Sequence, residues 1–154
     1  MPTPSAHIVG VHPKGQLAYT ITTSPKAPTA NDKMTVKVKF ANYGMDEGAI
    51  GKVAVWIRPV PQIVNNSTLD WVASRQGGYY EGGPCAYKNY QFFADFSDVV
   101  LQPGKSKTVT LTKVPVPETA GWWQLSVVPD IDCVLPATKT ISPAPAFASF
   151  EVVA

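Results

Sequence analysis

Glu118-Thr119-Ala120-Gly121-Trp122-Trp123-Gln124-Leu125-Ser126-Val127-Val128-Pro129-Asp130 is the stretch that decides the fold. It makes a turn ending in Gly121, then a run in which Trp123, Leu125 and Val127 alternate with Trp122, Gln124 and Ser126. Just before it, the Pro103-Gly104 turn leads into Lys107-Thr108-Val109-Thr110-Leu111, which alternates in the same way. A period of two broken by Gly and Pro is the pattern of half-buried antiparallel strands with one face on a core.

Working outward, the same grammar recurs. Lys33 to Asn42 puts Met34, Val36, Val38 and Phe40 on one face and Lys33, Thr35, Lys37 and Lys39 on the other. Further strands are expected at His7–Val11, around Leu17 to Ile21, at Lys52–Pro59, Tyr90–Leu101 and Phe147–Val153. On the Tyr90 strand Phe92, Ala94 and Phe96 share a face. The 15 prolines and 11 glycines punctuate these runs, and no window carries a helical repeat of apolar positions. The expectation is one all-β domain over 1–154, an immunoglobulin-like antiparallel β-sandwich of about seven or eight strands. A long irregular insertion, about 62–89, interrupts its middle.

Composition narrows the function. A chain of 154 residues is long enough for one good core, and 45% hydrophobic content is ordinary for a globular domain. The net charge of +2 supplies no concentrated basic patch, so nucleic acid is not expected as a partner. Apolar runs such as Val53-Ala54-Val55-Trp56-Ile57 are far too short to span a bilayer, so direct membrane insertion is not expected. No basic segment followed by an apolar core stands at the N-terminus, so no signal peptide is visible.

Two features nonetheless point outside the cell. Cys85 and Cys133, the only cysteines, both stand in loop-like positions and suit one disulfide, the alternative being two unrelated buried thiols. Asn65-Asn66-Ser67-Thr68 holds overlapping glycosylation sequons at Asn65 and Asn66. Together they favour an extracellular or cell-surface location.

The strand Val36-Lys37-Val38-Lys39-Phe40-Ala41-Asn42-Tyr43-Gly44, the segment Leu101-Gln102-Pro103-Gly104-Lys105-Ser106 with its following strand, and Ala120 to Val127 resemble the CARDB-like modules of the immunoglobulin-like class. The resemblance covers roughly Lys33 to Asp130 and implies a non-enzymatic adhesive or spacer unit within a larger surface protein. The 62–89 insertion and the cysteine pair depart from the plain module.

Catalytic chemistry finds little support. His7 and His12 stand near the N-terminus with nothing to assemble a triad around them. Asp95, Asp98, Asp130 and Asp132 supply carboxylates without a defined cleft. Asp130-Ile131-Asp132 would put two acids on one side of an extended chain, too few oxygens for calcium, and no Cys/His cluster suits zinc. No catalytic residue, cofactor or metal site is assigned.

The sharper expectation concerns aromatic residues. With Val53, Val55 and Ile57 facing the core, Trp56 and Arg58 face outward; with Trp123, Leu125 and Val127 inward, Trp122 and Gln124 face outward. Trp56 and Trp122 would then lie near each other on adjacent strands, beside Arg58, Gln124 and Phe147, with Trp71, Tyr79 and Tyr80 contributed by the insertion. Such a patch suits a protein partner or, alternatively, a sugar ring. Two other outcomes are open: the insertion folds over this face and buries both tryptophans, or a one-residue register slip returns Trp56 to the core.

Overall fold

The computed structural model describes residues 6, 8–11, 20–59, 90–135 and 146–154. They form eight strands: β1 (Ile8–Gly10), β2 (Ile21–Ser24), β3 (Lys33–Asn42), β4 (Gly48–Pro59), β5 (Phe92–Leu101), β6 (Ser106–Pro115), β7 (Gly121–Val128) and β8 (Ala146–Val152). In the first sheet β3 is central, with β1 and β2 end to end on one side and β6 on the other. The second sheet has the order β5-β4-β7-β8, and every ladder in both sheets is antiparallel. This is an immunoglobulin-like β-sandwich.

The inward residues follow the period of two. Met34, Val36, Val38 and Phe40 of β3 meet Val53, Val55 and Ile57 of β4 and Leu125 and Val127 of β7 in one buried core. Phe92, Ala94 and Phe96 of β5 and Trp123 of β7 pack partly buried against it, on the faces the alternation assigns. Each such aliphatic side chain contributes roughly 1.5–3 kcal/mol by leaving water, so the alternation is also the main source of stability.

Asn42 closes one end of the sandwich. Its side chain is fully buried and donates through Nδ2 to the Asp46 carbonyl at 2.8 Å and the Leu101 carbonyl at 2.9 Å. Its Oδ1 accepts the Gly44 amide at 2.9 Å, while its own carbonyl accepts the Gly104 amide at 2.8 Å. One residue thus ties the end of β3, the connection to β4, the end of β5 and the Pro103-Gly104 turn. The Asn-x-Gly and Pro-Gly motifs of the sequence are two halves of one hydrogen-bonded knot.

Boundaries differ from expectation where a bulge lets a strand continue. β4 starts at Gly48, earlier than the expected Lys52, because its pairing with β5 slips between Ala49 and Gly51. Gly51 sits at φ 76°, a conformation open to glycine without strain, and an added Cβ would stand 3.3 Å from Asp130. β6 likewise runs past Leu111, with Lys113 at φ 60° near the irregular pairing to Met34 and Val36.

Candidate functional site

The outer face of the second sheet has a closed centre. β4 and β7 are neighbours, as expected, and pair Trp56 with Ser126 and Arg58 with Gln124. Trp56, however, has no exposed surface, and Gln124 is also buried. Trp56 packs with Ala54, Val128 and Ile131 in a small second core, and meets the Tyr90 ring edge-on at 5.8 Å between centroids. The expectation of an exposed Trp56 is therefore corrected. The face assignment was right and no register slip occurred, but an outward face is not the same as a wet one. Arg58 is half-buried, and its Nε and Nη2 are enclosed with no hydrogen-bond partner among the described residues.

The expected juxtaposition of the two tryptophans is corrected as well. Trp122 lies beyond the Arg58–Gln124 pair and is paired on its other side with Glu151 of β8. That puts it about 13 Å along the strands from Trp56 at roughly 3.3 Å per residue. Trp122 is 58% exposed. Its neighbour Trp123 turns inward and donates its indole N–H to the Thr119 carbonyl at 3.0 Å.

Beside Trp122 a cleft of about 460 Å³ opens where the edges of the two sheets approach each other. Its floor comes from inward positions of both sheets, Ile21 of β2 and Ala148 and Phe150 of β8. Its rim carries Trp122 and Glu151 on one side and Lys26 on the other. Here the described surface is both concave and aromatic.

The opposite margin of the same face, at β5, carries a group the sequence reading missed. Tyr90 and the 51% exposed Phe93 meet edge-on at 5.8 Å, and Lys52 Nζ stands 5.5 Å from the Phe93 ring centre. Lys52 also pairs with Asp132 at 3.4 Å and lies opposite Asp95 in the ladder. Asp95 accepts hydrogen bonds from the Ser97 hydroxyl and amide, which hold its carboxyl below the usual 3.8, with Lys52 adding to the effect. The signal was present as Lys52 and Phe93 on strands whose pairing the sequence alone did not reveal.

The acids of the turn after β7 do not lie on an extended chain. Asp130 is buried at φ 48°, and its carboxylate accepts the Val134 and Leu135 amides, each at 3.0 Å. It organises the turn that carries Ile131 into the second core. Among the described residues, no three His, Cys, Asp or Glu side chains converge as metal ligands. Cys133 is buried in this turn; Cys85 lies outside the described residues, as do Asn65, Asn66, Trp71, Tyr79 and Tyr80, while the Phe147 side chain is likewise not described.

No protein-family model matches the chain, and no curated protein does. Among solved structures the chain is similar to the CARDB domain of a Pyrococcus furiosus protein, solved in complex with di-metal ions. There it is 14% identical, with 99% of this chain and 91% of that one covered at a TM-score of 0.49. That domain belongs to the family the sequence resembles. A β-glucosidase from Erythrobacter marinus aligns at TM-score 0.51 and 14% identity over 96% of this chain. A β-glucosidase from Bifidobacterium adolescentis aligns at 0.47 and 15% over 96%. The chain spans only 16% and 17% of the length of those two enzymes. At such identities the likeness is one of fold, a sandwich shared by proteins of different function.

Proposed function

We propose that this chain is a non-enzymatic module for adhesion or structural assembly, one unit of a larger secreted or cell-surface protein, with protein as its partner. The observation that carries this reading is the character of the open site. It is a shallow cleft between two strand edges, floored by aliphatic and aromatic side chains and rimmed by an exposed tryptophan. Exposed Trp beside a polar rim is the composition of a contact surface. In the same reading Cys85 and Cys133 form one disulfide and Asn65 or Asn66 carries a glycan; mass spectrometry of the secreted chain without reductant tests both, and two free thiols would remove the first.

A second reading keeps the same tryptophan. Trp122, with Glu151, Lys26, Thr22 and Ser149 around it, offers a ring face and polar groups to a sugar, as in a carbohydrate-binding module. Beads coated with the chain separate the two. Saturable adhesion to immobilised extracellular-matrix proteins and not to polysaccharides supports assembly; the reverse supports the second reading. Turnover of aryl glycosides or esters by the purified chain would contradict both.

A further inference from the structure

We infer that the cleft between β2 and β8 receives an extended polypeptide segment of a partner protein, added as a new strand on the edge of β8. This rests on the assembly reading and specifies where and how the partner binds. Among the described residues, β8 is the last strand of its sheet and β2 lies at the side of the other, so both turn an edge toward the cleft. Edge strands present backbone donors and acceptors in a row, which is what strand addition uses.

The outer side of β8 already begins such a ladder. Val153, just after β8, donates its amide to the Pro28 carbonyl at 3.0 Å and accepts the Ala30 amide at 2.8 Å. The bridge between Thr29 and Val153 is parallel, unlike every ladder within the sheets. Because backbone groups alternate along a strand, Glu151 and Ser149 direct their N–H and C=O toward the same side as Val153. Among the described residues, the Pro28–Ala30 segment covers only the end of this edge, and the cleft lies along the remainder.

The side chains fit the same period. A strand lying on Ser149 and Glu151 would send alternate residues inward over Ile21, Ala148 and Phe150, and the others outward beside Trp122 and Glu151. The inward positions call for small or branched apolar residues. On the Trp122 side the outward ones call for a basic residue, which Glu151 attracts by charge and the Trp122 ring by its negative face, the Lys26 ammonium standing on the other rim. The partner segment is therefore an alternating apolar and basic one. By contrast, the β5 edge carries Asp95 and Asp98, which suit a basic segment without the aliphatic floor of the β8 cleft.

The probe is the capped heptapeptide Lys-Val-Lys-Val-Lys-Val-Lys, with two controls N-methylated at alternate amides in either register. The expected result with the full chain is saturable binding and slowed hydrogen exchange at the Ser149 and Glu151 amides. One N-methylated control should lose at least about tenfold in affinity, since each blocked ladder bond leaves a group unsatisfied. Ser149→Pro, which removes an edge donor outside the β7 ladder, should keep the native circular dichroism spectrum and lose binding. Trp122→Ala should weaken it about fivefold.

No binding, binding indifferent to N-methylation, or binding of cellohexaose at Trp122 in place of the peptide would overturn the inference. Coated beads distinguish its failure from that of the assembly reading. Ser149→Pro beads that still adhere to matrix protein refute strand addition alone, whereas wild-type beads that do not adhere refute the module's proposed role.

Discussion

Trp56 and Trp122 face the same side of the same sheet, yet one is sealed and the other is half in water. The difference lies in where along the sheet each sits. Trp56 is on β4, flanked by β5 and β7, and finds Ala54, Val128, Ile131 and the Tyr90 ring around it. Trp122 is at the start of β7, across from Glu151 of an edge strand, and borders a cleft. Alternation decides which face a side chain takes; what covers that face is decided by turns and neighbours remote in sequence. A stabilising tryptophan and a tryptophan suited to binding can thus share one strand pattern.

The largest test of this contrast is truncation. Trp56→Ala should cost about 4 kcal/mol in urea-unfolding free energy, the scale for deleting a fully buried aromatic. Trp122→Ala should change stability by about 0.5 kcal/mol or less, as exposed substitutions do. Equal losses in the two variants would erase the distinction.

The next test compares the closed end of the sandwich with the open margin. Asn42→Ala strands the Asp46 and Leu101 carbonyls and the Gly44 amide, so a loss of about 3 kcal/mol is expected, at roughly 1 kcal/mol or more per buried group left unmade. The same urea titration checks it, and a change near zero would mean the knot is not structural.

The smallest effect lies at the β5 margin. Asp95 has a carboxyl pKa held below 3.8 by Ser97, so its bonds add stability at neutral pH. That contribution is present above the unfolded-state value near 3.9 and is lost as pH falls through the lower folded value. Ser97→Ala should raise the Asp95 pKa toward 3.8 in an NMR titration. The stability gap between variant and wild type should also narrow below about pH 4. A gap constant with pH would place the effect elsewhere.

Much of the scaffold was legible because strand period and turn chemistry are local. Lys33–Asn42 occupies β3 residue for residue, and Trp123 and Trp122 split inward and outward as their alternation requires. The bulge at Gly51 was less legible, since a slip in pairing depends on the partner strand. The site was legible only in part. The exposure of Trp122 was legible because the residue is out of phase with the core. Its cleft was not found, because the Ile21, Lys26 and Glu151 that line it come from distant parts of the chain. Trp56 was misplaced for the complementary reason: its covering, through Ile131 and the Asp130 turn, depends on a tertiary contact, and Gln124 is buried on the same face. Asp130 itself read as an acid on an extended chain, and only the structure reveals that it accepts amides four and five residues ahead.

The most direct test of the split between sealed centre and open margin is iodide quenching of tryptophan fluorescence in a Trp71→Phe background, which leaves Trp56, Trp122 and Trp123. A quenchable fraction that disappears on adding Trp122→Phe and survives Trp56→Phe is the predicted result. Loss of that fraction with Trp56→Phe, or its persistence without Trp122, would contradict the account.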